Sequence, residues 1–412
     1  MKILKLFVLL AIPYSILLAS GGSTYSRIGF GEFNYNFSAR RAGLGGLGYS
    51  IVDKDFLSYT NPAGWNQLES TRFEAGYLVD AGNFSDKSNS AFYSNSYFNG
   101  MIFGFPISRD YGVTFTGGIV PYSNVKYDVT ENVDSILVSP HTASYSGTGG
   151  MSRLFFGTSL RMFNDFSIGA ALDYYNGESK NSTTISFSST STFKDIENTR
   201  DISYHGIGFT AGIISGDLSN LLSINFVKDW RIGISYSSKV DMSADSANVY
   251  STTIGSYNES TGSLKANLPA RIGIGTSFKF DKNYLFTLDY MSQSMEDFTW
   301  DGKKSISLQN ANKLSFGMEY RPDYNENGFW NQTMLRAGIS YEKTPYKVSG
   351  YSVDQLSLTA GVSLPLSYGN TIDLGFQYSK RGTQDFSLVK ENLYRFNVAI
   401  SIGELWFIQV ER

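Results

Sequence analysis

From about residue 70 onward, apolar and polar side chains alternate with a period of two. Ile272, Ile274, Thr276, Phe278 and Phe280 alternate with Arg271, Gly273, Gly275, Ser277 and Lys279. Leu314, Phe316, Met318 and Tyr320 alternate with Ser315, Gly317, Glu319 and Arg321; Ile372, Leu374, Phe376 and Tyr378 alternate with Asp373, Gly375, Gln377 and Ser379. Successive side chains of a strand point to opposite faces, so each segment has one apolar face and one polar or small face. Such segments centre on 72–80, 97–107, 111–121, 151–162, 166–175, 202–214, 230–238, 270–280, 284–292, 313–321, 333–342, 355–365, 371–379 and 393–403. There are about fourteen, each near the ~9–11 residues that a tilted strand needs to cross a bilayer.

The connections between these segments differ in length in an ordered way. Tight links fall around Ser108–Asp110, Asn164–Asp165, Asp281–Asn283 and Ser367–Asn370, while long polar links run over 81–96, 122–150, 176–201, 239–269 and 293–312. Tight and long links largely alternate, as they do in outer-membrane barrels, where one end carries short turns and the other long loops. A soluble β-sandwich has no reason to sort its loops by parity. The links 215–229 and 322–332 have room for a small helix or bend. Aromatic residues recur at segment ends (Tyr111, Trp230, Tyr236, Tyr284, Tyr290, Tyr320, Tyr341, Tyr378), where an interfacial girdle needs them. The opposite face carries Gly, Ser and Thr with charges of both signs: Arg153, Arg161, Asp173, Arg231, Asp289, Glu319, Arg336, Asp373 and Arg395. These read as a structural network in the lumen. The expected fold is all-β: a transmembrane antiparallel barrel formed by residues 71–412.

Composition narrows the alternatives. Aromatics reach 15% and charged residues only 17%, with 41 Gly and 9 Pro, so a β-rich chain is expected. Net charge is −3 with scattered Lys and Arg, which gives nucleic acid no basic patch. The absence of cysteine excludes disulfides, thiolate metal sites and a lipid-modified cysteine. Only His141 and His205 could serve a histidine-rich metal centre or a catalytic base, and neither is accompanied by a Gly-x-Ser-x-Gly elbow. No cofactor, metal or enzymatic activity is expected. At the N-terminus, Lys2 and Lys5 precede an apolar run from Leu6 to Leu18, interrupted by Pro13 and followed by small residues from Ala19 to Gly22. This order predicts a secretory signal peptide over 1–20, and so an exported protein.

Residues 21–70 are patterned differently. The stretch from Tyr25 to Phe37 is rich in aromatics, and a glycine block follows at Gly43, Gly45, Gly46 and Gly48. The spacing of Gly43, Gly45 and Gly48 formally matches a dinucleotide-binding fingerprint, but no βαβ pattern surrounds it. Glycines that let the chain fold tightly in a confined space explain the block better. Asn61 before Pro62 favours an extended residue entering a turn, and Ala63 and Gly64 permit close approach to a wall.

The block from Ser38 to Asp53, followed by Ser58 to Gly64, resembles the N-terminal signature of the FadL/TodX family of outer-membrane transporters. Similar residues recur at Leu268–Gly275 and at Leu364–Pro365. The resemblance implies a fourteen-stranded barrel plugged by an N-terminal hatch, with Asn61, Pro62 and Ala63 as the family's Asn-Pro-Ala motif. It also implies uptake of long-chain fatty acids or hydrophobic hydrocarbons by a monomeric barrel in outer-membrane lipid. Tyr25, Ile28, Phe30, Phe33, Tyr35 and Phe37 are the candidate ligand-lining residues, with packing of the plug against the wall as their alternative role. Gly117 and Gly118, ahead of Pro121, are the candidate weak point for a lateral opening. The chain departs from better-known relatives in ending without a terminal aromatic, for which Trp406 and Phe407 are the nearest substitutes. A second function fits the same signature: a non-transport subunit or shuttle of a protein secretion system.

Overall fold

A computed structural model of the chain describes residues 22–404 apart from 36, 135–138, 188–190, 192, 225, 323–327, 368 and 387. The expected signal peptide, Trp406 and Phe407 lie outside the described residues. Ahead of the wall come a two-residue strand, β1 (Glu32–Phe33), and a single helical turn, α1 (Ala39–Ala42). The wall opens with β2 (Thr71–Ser85), β3 (Ser90–Ser108), β4 (Val113–Val133), β5 (His141–Arg161), β6 (Ser167–Phe187) and β7 (Ile196–Ile214). After the short helix α2 (Leu218–Leu221) follow β8 (Val227–Ser237), β9 (Val240–Thr252), β10 (Gly255–Leu268), β11 (Arg271–Phe280) and β12 (Tyr284–Gln293). A small hairpin of β13 (Thr299–Trp300) and β14 (Lys303–Lys304) precedes β15 (Ala311–Tyr320), β16 (Met334–Val348), β17 (Tyr351–Ser367), β18 (Asn370–Arg381) and β19 (Lys390–Glu404).

Segments β8 and β9 form one wall strand broken at Ser238–Lys239, and β10 and β11 another broken at Pro269–Ala270. The wall therefore has fourteen strands, each antiparallel to its neighbours. It closes where β19 meets β2, from Lys390↔Ser85 to Glu404↔Thr71. Closure satisfies the backbone groups that lipid cannot, which is why an antiparallel sheet crosses a membrane only as a barrel. All fourteen expected segments fall on wall strands, with the expected faces. Phe156 is 57% exposed although apolar, whereas Asp173 is fully buried although charged. Leu172, Ile207, Leu288, Phe316 and Leu358 likewise face outward. That inversion of the soluble pattern marks a transmembrane wall.

The long links are a correction. Most of 81–96, 122–150, 176–201 and 239–269 is paired hairpin, not loop, as shown by Thr142↔Ser186 and Ser144↔Thr184 high on β5 and β6. Beyond the lipid neither face has to be apolar, so the alternation that marks a strand fades while backbone pairing persists. The link 215–229 does hold a small helix: the Asp217 carboxylate caps α2 by accepting from Ser219 N at 2.9 Å. Two ends follow from this: a short-turn end and a long-hairpin end. Between them residues 22–68 lie against the inward-facing side chains, in two buried apolar clusters.

Candidate functional site

The Asn-Pro turn sits against the wall toward its short-turn end, beside Gly169 near the start of β6 and Gly212 near the end of β7. Asn61 is extended (φ −140°, ψ 113°), as a residue before proline must be, and Pro62 starts a 3₁₀ turn that runs to Trp65. The Asn61 side chain accepts from Ala63 N (3.0 Å) and donates from Nδ2 to Tyr49 O (2.7 Å), with the wall carbonyls of Ile213 (3.2 Å) and Ile234 (3.3 Å) also in reach. One amide thus caps its own turn, ties down a second hatch loop and fastens both to β7 and β8. Ala63 and Gly64 are buried, and a Cβ at Gly64 would lie 2.9 Å from Ser58 Cβ.

Within the glycine block, Gly45 (φ +80°), Gly46 (φ +92°) and Gly48 (φ +137°) occupy conformations that side chains resist. Gly43 is different: its φ is −67°, and a Cβ there would lie 3.1 Å from Gly361 Cα in β17. Sequence reasoning missed the wall's share in this contact. Inward-facing wall glycines receive the hatch backbone: a Cβ on Gly317 would reach within 2.7 Å of Leu44 O, one on Gly338 within 2.5 Å of Gly45 N, and one on Gly212 would overlap Asn61 Oδ1. Their signal was present as glycine on the polar face of successive strands, but which glycine meets which hatch residue depends on the register.

Buried ion pairs hold the hatch at two heights, and a third pair lies within the wall between them. Toward the short-turn end, Arg40 of α1 bonds Asp53 and forks onto Glu319 of β15 (Nη2–Oε1 2.6 Å, Nε–Oε2 2.8 Å). Arg336 also reaches Glu319 (2.6 Å), Arg321 reaches Asp53 (2.6 Å), and the Phe56 ring lies 4.0 Å beneath the Arg40 guanidinium. Burial alone would push the Asp53 carboxyl up, but Arg321 and Arg40 outweigh it and hold it well below the usual carboxylate range. Midway, Arg153 pairs with Asp173 (2.8 Å), which also accepts from Thr210 (2.6 Å). Toward the long-hairpin end, Glu32 of β1 pairs with Arg381 and with Arg395 (2.6 Å), while Ser23 donates to Glu391 (2.8 Å). Charges expected as a lumen network are therefore joined to the hatch itself through Arg40, Asp53 and Glu32.

Of the candidate lining residues, Tyr25, Phe33, Tyr35 and Phe37 are buried in packing. The Tyr25 hydroxyl donates to Val389 O (2.6 Å), Phe33 meets Tyr122 edge-on (5.7 Å), and Phe37 belongs to the cluster around Trp65 and Phe155. Phe30 is just as buried, in one cluster with Tyr25, Phe33 and Tyr35, and it lies with half-buried Ile28 under a vestibule of about 900 Å³ at the long-hairpin end. Val125, Ile202, Tyr204, Phe298 and Trp300 complete its floor, and Arg27, Arg200, Lys303, Lys304 and Lys347 stand around it. A second vestibule of about 820 Å³ at the short-turn end is lined by charges, among them Arg40, Asp53, Lys54, Arg109, Arg231, Lys279 and Arg321. Gly117 and Gly118 remain within the wall ladder, opposite Phe103 and Ile102 on one side and Phe156 and Phe155 on the other. His141 and His205 lie on β5 and β7; His141 Nδ1 lies 2.8 Å from Ser139 O, and its ring meets that of Phe187 at 5.5 Å.

Solved structures similar to this one include channels and transporters for hydrocarbons. The Pseudomonas putida toluene transporter TodX aligns over 91% of this chain and 100% of its own, with a TM-score of 0.63 at 15% identity. CymD, a monoaromatic hydrocarbon channel, aligns over 90% and 98%, with a TM-score of 0.61 at 16% identity. A Pseudomonas aeruginosa FadL homologue aligns over 93% and 99%, with a TM-score of 0.59 at 12% identity. At these identities the expected FadL/TodX kinship holds at the level of fold. No curated protein matches the chain. At the level of sequence, the family model named BamG matches residues 1–411, and the chain belongs to the BamG family.

Proposed function

We propose that this barrel resides in the outer membrane, after removal of its signal peptide, as a monomer that takes up a small hydrophobic or amphipathic molecule under control of its hatch. The long-hairpin end then faces outward and the short-turn end the periplasm. The observation that carries this reading is the outer vestibule, whose floor of Phe30, Tyr204, Phe298 and Trp300 lies beneath the cations Arg27, Arg200 and Lys347. An apolar floor below a basic rim suits a molecule with a greasy body and a polar or anionic head. Long-chain fatty acids fit that description, and aromatic hydrocarbons of the kind named for TodX and CymD would use the floor alone. Onward movement requires the hatch to shift, because Phe33, Tyr35 and the Glu32 ion pairs lie directly beneath.

The test is uptake of a labelled fatty acid by cells carrying the intact chain, the Asn61→Ala variant or a deletion of 21–40. Uptake that changes on loosening the hatch supports the reading. Its absence from the intact protein, or indifference to both changes, counts against it.

A second reading is favoured by one observation. The inner vestibule is lined by charge, and Arg40, Asp53, Glu319 and Arg336 close the space above it, so a hydrophobic molecule finds no apolar way into the periplasm. A barrel so interlocked also suits a non-transport subunit of a protein secretion system. Recovery of the barrel in a large envelope assembly, with no lipid in its lumen and no uptake, would select that reading.

A further inference from the structure

Between β3 and β4 the wall is joined along only part of its length. The ladder climbs from Ser108↔Val113 to Met101↔Ile119 and stops, yet β3 continues to Ser90 and β4 to Val133, held by β2 and β5 respectively. The causes are local. Gly100 is at φ +104° beside a bulge in the β2–β3 ladder, Pro121 has no N–H to donate, and a second bulge at Pro121/Ser123 bends β4. Above Ile119, β4 therefore presents an edge inside an otherwise closed wall.

The chain's own hatch occupies the start of that edge. Glu32 pairs with Asn124 and Phe33 with Ser123, Asn34 N donates to Tyr122 O (2.8 Å), and Ser26 Oγ exchanges hydrogen bonds with the backbone of Lys126 (2.9 and 3.1 Å). The β4 groups that turn toward the seam are thus those of Tyr122, Asn124 and Lys126. By the two-residue period of a strand, those of Asp128, Thr130 and Asn132 turn the same way. These three are paired with β5 on the other side, but on the seam side no ladder partner stands opposite them among the described residues.

We propose that the β4 edge from Tyr122 to Asn132 is a strand-acceptor site, on which an extended segment of a partner polypeptide docks by β-augmentation in exchange with the hatch segment. An exposed edge is a template for pairing. The seated occupant shows the chemistry required: an extended chain with an aromatic side chain inward, where Phe33 meets Tyr122, next to an acidic residue for Arg381 and Arg395. A hydrocarbon is the poorer occupant. The groove of about 610 Å³ beside the seam sets Asn124, Ser152, Asn176, Glu178 and Ser203 among Tyr97, Pro121 and Met151, and an apolar molecule would leave those polar groups and the edge amides unsatisfied. Strand acceptance is independent of transport: a barrel that carries no fatty acid can still accept a strand.

The test uses the purified full chain in detergent, with a fluorescent peptide of residues 22–37 as probe. Because the chain has no cysteine, the double variant Phe33→Cys/Ser123→Cys can be locked across the β1–β4 pair and released by reductant. The reduced form is expected to bind the peptide at least tenfold more tightly than the oxidised form. Glu32→Ala, which removes the latch, should bind it more tightly than the unmodified chain. A peptide N-methylated at alternate residues, unable to complete a ladder, should not bind. Equal binding by the N-methylated peptide, equal binding with the lock closed or open, or no binding to any form would overturn the proposal. So would a spin-labelled fatty acid that occupies the released seam and excludes the peptide.

Discussion

Asn61 is one side chain working in three directions, and the consequences of losing it can be separated. Replacing it with Ala removes a turn cap, which costs about 1 kcal/mol, and strands the buried Tyr49 carbonyl, at roughly 1–3 kcal/mol more. Neither loss touches the wall ladder. The expected outcome is faster tryptic cleavage at Arg40 and Arg41 in the purified barrel, with its thermal unfolding unchanged. Gly212→Ala should reproduce that phenotype with Asn61 intact, because the added Cβ overlaps Asn61 Oδ1 and overpacking of this kind costs about 1–3 kcal/mol. If Gly212→Ala leaves cleavage slow, the contact between turn and wall is not what holds the hatch. The two residues were unequally legible. The Asn-Pro turn could be read because its geometry is local. Gly212 could not, because its importance arises from the register that sets β7 beneath the turn.

Among elements, the wall strands were legible only where they meet lipid. The segment 270–280 announced itself because one of its faces had to be apolar, whereas the top of β5 carries Thr142, Ser144 and Ser146 and reads as loop although it is fully paired. The single turn α1 was not legible at all: four residues leave no periodicity, and its importance lies in aiming Arg40 at Asp53 and Glu319. Its hold on the hatch should depend on acidity. Arg321 and Arg40 depress the Asp53 carboxyl, so its contribution is complete above the ordinary carboxylate range near pH ~4 and disappears only as pH falls through the lowered value. The hatch of the unmodified chain should therefore resist pepsin at pH 4. Arg321→Ala removes one of the two cations, raises the carboxyl, and should move the onset of cleavage around Leu57–Tyr59 to higher pH. An unchanged onset would mean that Arg40 alone sets the charge of Asp53.

At the scale of the whole molecule, the question is which part closes the lumen. The long hairpins could do so from above, or the hatch from within. The wall lining favours the hatch. Arg153, Asp173, Glu319, Arg336 and Asp373 are buried polar groups that bond hatch residues or one another, so they would line a hydrated passage if the hatch were gone. The ladder from β19 to β2 gives the barrel a closure in which no hatch residue takes part. A chain lacking 22–60 is accordingly expected to insert as a closed wall and to conduct ions in planar bilayers, where the full chain gives no steady current. Charges of both signs line that passage, so its preference between cations and anions should be weak. A deletion variant that inserts and stays silent would place the seal in the hairpins, and the hatch would then have to be understood through the strand it lends to β4, not as a plug.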